Sequence, residues 1–552
     1  MEDKTKLLQR WQSLSQEFSS WKDHGEEISR HLLPRSGRFL VTDRNRGERK
    51  HNAIYDSTGT RALRVLGAGM MAGMTSPARP WFRLTTSIPE LDESDAVKQW
   101  LADIQRTMQM VFAKSNTYRA LHTCYQELGA FGTWAGSFMP DYNNVMHLHP
   151  HTFGEFALAT DYMGSVNTLY REFELTVAQV VGEFGADKVS TTVKTLHDAG
   201  NLSAGVRIIH AVEPRADRDL RKRDAKNMEW KSIYFEAAGD KDKVLSESGF
   251  KRFKSLCPRW DVTTGDVYGN SPGMEALGDI KQLQHQQLRK AQAIDYQVKP
   301  PLQMPTSMMN QPSNLLPGGQ THVDMTSPNG GIRSAFEVNL RLDYLLDDIR
   351  DVRERINSAF HADLFLMLAG SDRTNMTATE VAERHEEKLL MLGPVMERQH
   401  NEILSPLIDM TFERMIEANL IPPAPPELQG IELNVEFVSM LAQAQRAIAT
   451  NSIDRFVMNL GQIMAVKPEV VDKFDADYWA DHYADITGLD PKLIVPGKRV
   501  AMIREQRAQA MQQQAAADQL QQRAATARDF ASADTSGQNA LTDITQQFSG
   551  YT

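Results

Sequence analysis

The chain has 552 residues, 41% of them hydrophobic and 24% charged, and carries a net charge of −10. Such a balance belongs to a globular protein with room for several domains, and the acidity argues against one whose main task is to grip nucleic acid through its phosphates. No run of 18 apolar residues suggests a membrane span, and two cysteines, Cys124 and Cys257, are too few for a disulfide scaffold.

The charged start, MEDKTKLLQRWQ, lacks a signal peptide's apolar centre. Residues 3–33 read as an amphipathic helix whose seam is Leu7, Trp11, Leu14, Phe18, Trp21, Ile28 and Leu32. The seam stops at Pro34, so packing on a larger body is favoured over a coiled coil. A basic loop, 34–51, follows with Arg35, Arg38, Arg44, Arg46, Arg49 and Lys50; it reads either as a contact for phosphate or an acidic partner, or as a solvated loop. Helices are predicted at 57–74, 94–115 and 117–130, with an extended run, SPARPWFRLTT, after the first. Short strands are predicted at 137–139, 145–149, 155–159, 166–173, 206–212, 229–236 and 244–246, with helices at 175–184 and 188–199. This first half reads as α+β.

Two long helical patterns then bracket a Pro/Gly-rich insert. The first runs from Met274 to Val298 and the second from Glu337 to Phe360. Each would span about 36 Å at 1.5 Å per residue. In the second, Val338, Leu342, Leu345, Ile349, Val352, Ile356 and Phe360 make an apolar stripe expected to pack against a neighbour. Its other side is mixed, and residues 337–360 hold six acids and four bases. The insert lacks the residues for a core of its own, and an assembly that projects a contact surface on a stalk would need such an arrangement. Beyond it come a polar break with Gly370, a helix over 377–419 kinked at Gly393-Pro394, the linker PPAPPEL, one alternating strand over 431–437, helices at 438–465, 468–485 and 491–530, and a Ser/Thr/Gln/Gly-rich end expected to be mobile.

Signals for chemistry are sparse. His147, His149 and His151 would share one face of a strand and could hold a metal, but Pro150 interrupts the run and no adjacent carboxylate or cysteine completes a site. LGAGMMAGM, with Gly67, Gly69 and Gly73, has the wrong spacing for a dinucleotide loop, and no phosphate-binding G-x-x-x-x-G-K-[ST] loop exists. His385-Glu386-Glu387 has Leu389 where a zinc protease needs its second histidine. No enzyme, cofactor or metal is expected.

Two segments carry a resemblance. LGAGMMAGMTSPARPWFRL, Leu66 to Leu84, is similar to the signature of the head-to-tail connector, or portal, proteins of short-tailed bacteriophages. RTNMTATEVAERHEEKLLMLGPVMERQHNEILSPLI, Arg373 to Ile408, resembles that family's tunnel loop and kinked helix, and the order of parts matches along nearly the whole chain. The resemblance implies an α+β, mainly helical portal fold: a wing at 1–270, stem helices at 271–298 and 336–360, a clip at 299–335, a tunnel loop at 361–376, a kinked helix returning to the wing over 377–430, and a crown at 431–552 with a mobile tail. It implies a homo-oligomeric ring, usually of about twelve subunits, at one capsid vertex of the virion. The ring would be assembled in the host cytoplasm and would pass double-stranded DNA during packaging and ejection. Its implied partners are the terminase large subunit, tail adaptor proteins, and the major capsid and scaffolding proteins, with no membrane. Lys281, Arg289, Lys290, Asp347, Asp351, Arg373 and Asn375 become candidates for the channel wall, and Met304, Met308, Met309, Leu315 and Leu316 for docking by the clip. A mildly acidic wall would lower the grip on a polyanion charged every 1.7 Å.

Two rival readings remain on the residues alone. One is a metal-dependent enzyme built on the 147–151 histidines. The other is a helical DNA-binding scaffold using the arginines of 35–50, against which the net acidity speaks.

Overall fold

The computed structural model describes residues 4–42, 47–88, 94–219, 224–240, 243–304, 342–368, 392–428, 433–438, 456–463, 474–487 and 497–532, with isolated residues between them (91, 221–222, 306, 309–310, 313–314, 320, 331–335, 467, 469 and 495). The chain divides into two compact units, Met1–Ile453 and Asp454–Thr552.

In the first unit α1 (Lys4–His31) lays its seam on the body: Leu7, Leu14, Phe18, Ile28 and Leu32 are buried, and Trp11 and Trp21 half-buried. Phe18 meets Phe153 at 5.1 Å and Tyr268 at 4.8 Å between ring centroids. Gly25 fills the gap in the seam because a Cβ there would sit 2.4 Å from the Phe153 ring. The packed-helix reading therefore holds over the coiled coil. Next come α2 (Thr58–Met74), β1 (Phe82–Thr86), α3 (Asp95–Lys114) and α4 (Thr117–Phe131).

The next eight strands form two antiparallel sheets, as expected for an α+β body. β2 (Ala135–Asp141) lies between β3 (Val145–His151) and the two-residue β9 (Ser255–Leu256), which the sequence did not announce. β4 (Phe156–Thr160), β5 (Val166–Thr176), β6 (Gly205–Pro214), β7 (Trp230–Glu236) and β8 (Ser246–Phe250) follow one another in space as in sequence. The helices α5 (Val177–Phe184) and α6 (Thr191–Asp198) cover a small second core of Phe173, Val177, Val180, Val189, Val193, Ile208 and Leu245. A capping box starts α5: Thr176 Oγ1 accepts from Gln179 N, and the Gln179 side chain accepts from Thr176 N.

The first long helix is broken where continuity was expected. Ser271 caps a single turn, Pro272–Glu275, and after Ala276 the helix α7 runs from Leu277 to Val298. β10 (Leu302–Gln303) pairs with β11 (Arg333–Ser334), so the insert is closed at its base by a short ribbon rather than being wholly irregular. The second long helix is described as α8 (Leu342–Ala359), followed by α9 (Ala362–Leu368). Its stripe does not wait for a neighbour. Ile349, Val352, Ile356 and Phe360 are buried in the chain's own core, where α8 packs on α2, α7 and α9. Here the expectation is corrected, because α2 and α9 supply apolar surface that helical periodicity could not reveal.

Helical residues 392–399 lead into a π-helical turn, His400–Leu404, and then α10 (Ser405–Glu417). Pro394 lies near the start of these described residues, and the expected kink there falls at their edge. The alternating strand appears as β12 (Leu433–Phe437), antiparallel to β1 with Phe82 opposite Phe437. Trp81 stacks on Phe112 and on Phe437, and the His400 ring stacks on Phe437 at 4.0 Å. The strand thus belongs to the first unit, and Val438 continues the pairing through its N–H to the Trp81 carbonyl at 3.1 Å instead of opening a helix.

In the second unit residues 456–463 are helical, α11 spans Ala476–Thr487 and α12 spans Gly497–Ser532. Phe474 and Asp475 are not helical, so the helix expected over 468–485 is interrupted there, and Asp475 Oδ1 accepts from Asp477 N and Tyr478 N at the start of α11. Arg504 of α12 grips Asp477 of α11 with two hydrogen bonds of 2.6 and 2.7 Å.

The glycines of LGAGMMAGM serve packing. A Cβ on Gly69 would come within 2.2 Å of the Phe365 ring on α9, and one on Gly67 within 2.6 Å of the Gln126 side chain. We expect Gly69→Ala to cost about 1–3 kcal/mol through overpacking, read as a lower midpoint in a urea melt. An unchanged midpoint would show that α9 does not bear on α2.

Candidate functional site

The paired helices α7 and α8 carry most of the residues singled out from sequence. Their roots are held by a polar node. The Asp56 carboxylate, in the loop before α2, accepts from Thr58 N and Oγ1 on one oxygen at 2.9 and 2.6 Å. Its other oxygen accepts from Gln287 Nε2 of α7 at 3.0 Å and from Arg353 Nε and Nη2 of α8 at 3.2 and 2.6 Å. Gln284 clamps the same loop from α7: its Oε1 accepts from Tyr55 N and Asp56 N, and its Nε2 donates to the Asp56 carbonyl. Burial pushes the Asp56 carboxyl up, but the hydrogen bonds from Thr58 and Arg353 outweigh it and hold it below the usual carboxylate range. Further links between the helices are Asp279 with Arg355 at 3.3 Å and the hydrogen bond from Gln286 to Asp348.

The outward row of α8 is charged but internally paired. Asp347 and Arg350 approach to 3.4 Å and are both about three-quarters exposed, and Asp351 lies 3.4 Å from Arg355. On α7, Lys281 is engaged by Glu27 of α1 at 2.5 Å, which holds the Glu27 carboxyl low. Among the described residues Arg289 meets His285 and Gln292 of its own helix, and neither Arg289 nor Lys290 has an acidic partner. Arg373 and Asn375 lie outside the described residues, as do Met308, Leu315 and Leu316. Met304 and Met309 are exposed near the β10–β11 ribbon, Met309 to 82%. The far half of α7 also shows apolar side chains to solvent: Ile294, Tyr296 and Val298, with Tyr344 on α8.

The three histidines do lie on one strand, β3, and Pro150 sits in it without ending it. They do not make a metal site. His151 is buried, and its Nδ1 accepts from Arg171 Nη1 at 2.8 Å while Nε2 meets Ser137 Oγ at 2.7 Å. Both ring nitrogens are therefore used, beside a fixed positive charge that would repel a cation. Burial, then Arg171, push the His151 pKa well down, and the same two causes lower His149 to about 4. No group of three metal-ligating side chains occurs among the described residues.

The basic loop is tied to the body. Gly37 N donates to Thr152 Oγ1, which donates to the buried Glu127, and Arg38 lies 3.7 Å from Glu155. Burial raises Glu127 to about 7. Arg44 and Arg46 lie outside the described residues.

Sequence reading missed the Asp56 node and a second one. Arg259, almost fully buried, binds Glu402 in the π-helical turn through Nη2 at 2.7 Å, and its backbone N–H donates to the same carboxylate at 2.8 Å. No spacing signal links either pair, since the partners lie far apart in the chain.

Against known proteins, the profile of the family described as "Bacteriophage head to tail connecting protein" matches residues 4–495. The chain is 66% identical over 546 residues to a "Probable portal protein" of Bordetella phage BPP-1, covering 99% of this chain and 98% of that one. It is 44% identical over 543 residues to the "Portal protein" of Salmonella phage epsilon15, covering 98% of each. A solved chain from "Virion of native gene transfer agent (GTA) particle" aligns at 10% identity with a TM-score of 0.38, over 85% of this chain and 94% of that one.

Replacing Asp56 by Asn should lower stability by about 2 kcal/mol at neutral pH, because Arg353 and Gln287 lose a charged acceptor. The folded carboxyl titrates below its unfolded value. Its contribution is therefore whole above about pH 4 and fades as the pH falls through the lowered value. Urea melts across pH should show the wild type and Asp56→Asn converging in acid. A constant gap would sink this account.

Proposed function

This chain belongs to the bacteriophage head to tail connecting proteins, and from that premise we propose how its parts serve a portal, the connector between capsid and tail. The family relation over nearly the full length is the observation that carries the reading. The role is structural, and the one arrangement that suggested a metal enzyme is occupied by Arg171 and Ser137.

The proposed assembly is a ring of about twelve copies at a capsid vertex, assembled in the host cytoplasm. The body of the first unit up to residue 270 would be the wing, α7 and α8 the stem, 299–335 the clip, 361–376 the tunnel loop, 377–430 the kinked helix and its return, and the chain from about 431 the crown. The strand β12 would tie the crown's start to the wing. Support for subunit packing comes from Ile294, Tyr296, Val298 and Tyr344, whose apolar surface stays in water in the single chain.

A wall made of α7 and α8 would hold DNA weakly. Arg350 and Arg355 each already face a carboxylate, so a phosphate would have to compete with Asp347 or Asp351. Lys281 is likewise engaged by Glu27. Arg289 and Lys290 are then the cations left to touch passing DNA, a sparse set with low friction. The exposed Met304 and Met309 suit adaptable docking of the terminase large subunit and tail adaptor proteins. The wing would face the major capsid and scaffolding proteins. Among the described residues no helix is long and apolar enough to cross a membrane.

Because Gln303 and Arg333 are paired across the ribbon, a two-residue Asn-Gly turn can replace 304–332 without opening it. Electron microscopy of this variant should still show rings with a central hole wide enough for duplex DNA, while binding of terminase or tail adaptor is lost. Closed particles without a channel would defeat the ring, and retained docking would defeat the clip assignment.

A further inference from the structure

A cavity of about 940 Å³ opens in the first unit beside β5, between the two sheets and α5. Nothing in the connector role calls for it. Its floor includes Arg171, which is only 5% exposed. The side chain lies over the Phe173 ring, 4.1 Å from its centroid, and Nη1 donates to His151. Nothing among the described residues accepts from Nε, which is buried without a partner, or from Nη2. No carboxylate lies within ion-pair distance of this guanidinium. Glu155, the carboxylate whose charge acts on it, also lies 3.7 Å from Arg38.

A buried cation without a paired anion is costly, and so is a buried donor with no acceptor. The Nε–H and the adjacent Nη2–H form the two-donor edge that fits a carboxylate side-on. The lining is mixed: Phe173, Leu175, Phe184 and Tyr234 supply its apolar part among polar and charged groups, and Tyr234 stacks on the neutral His210 at 3.9 Å. Its size is that of an ordinary small-molecule pocket. Lys188, Glu174 and Glu183 line the same cavity, and Lys188 and Glu183 are solvated there; their charges are screened and do not neutralise the buried guanidinium.

We propose that this cavity binds a small organic carboxylate, its oxygens on the Nε/Nη2 edge of Arg171 and its apolar body against Phe184, Leu175 and Tyr234. Arg38 would stand at a second side of the carboxylate, drawn from Glu155 over a distance too long for a hydrogen bond. The site is independent of the stem and of DNA.

The test uses the purified full chain and two probes of nearly equal shape, benzoate and neutral benzamide. Benzoate in excess should raise the melting temperature by about 2 °C or more, and benzamide should not. Arg171→Gln should abolish the response, and Arg207→Gln, an exposed arginine paired with Glu172 outside the cavity, should keep it. If Arg171→Gln does not fold, the benzoate–benzamide difference on the wild type still decides. Equal effects of the two probes, or a response that survives Arg171→Gln, would overturn the proposal. Inorganic phosphate acting as strongly as benzoate would overturn the assignment to an organic carboxylate.

Discussion

Two helices whose outer faces are charged must be fixed by something at their roots, and in this protein one carboxylate does it. Asp56 gathers donors from the start of α2, from α7 and from α8. A carboxylate with that many hydrogen bonds has one geometry available to it, so the angle between the helices is set where they leave the body. The apolar stripe of α8 adds burial to this, but a stripe alone tolerates sliding. Side chains farther along the helices are then free to be chosen for what they meet.

That freedom shows in the charges. Along α8, Arg353 answers Asp56, and Arg350 and Arg355 each answer an acid three or four residues away. Such pairs contribute little to stability. In the proposed channel their effect would be of another kind, since they would keep the surface hydrated while leaving few unpaired cations for a polyanion to hold.

Much of the architecture was legible beforehand because periodicity reports burial. The seam of α1, the alternation of β12 and the breaks around the Pro/Gly insert all reflect which side chains leave water. The stripe of α8 was read correctly as buried but assigned to the wrong partner, because a pattern records that a face is covered and not by what. The break at Ala276, the ribbon β10–β11 and the short β9 carry no periodic signal, being only one or two residues long. The nodes at Asp56 and Arg259 were invisible for a different reason: each joins residues more than a hundred positions apart, and a lone Asp or Arg in a loop looks like any solvated charge. Of the channel and docking candidates, the structure distinguishes Lys281, already engaged by Glu27, from Arg289 and Lys290, which meet no acid among the described residues.

The pairing of β1 with β12 joins segments roughly 350 residues apart in the chain. A growing polypeptide can fold α1 through β9 early, yet the edge at Phe82 has no partner until Phe437 has been made. Closure of the body is thus tied to synthesis of the far part of the chain. An incomplete polypeptide carries an open strand edge and an unfilled place beside Trp81, and cannot present a finished surface to its siblings. In the proposed ring, a subunit would therefore become ready to assemble only once its far strand had closed the body.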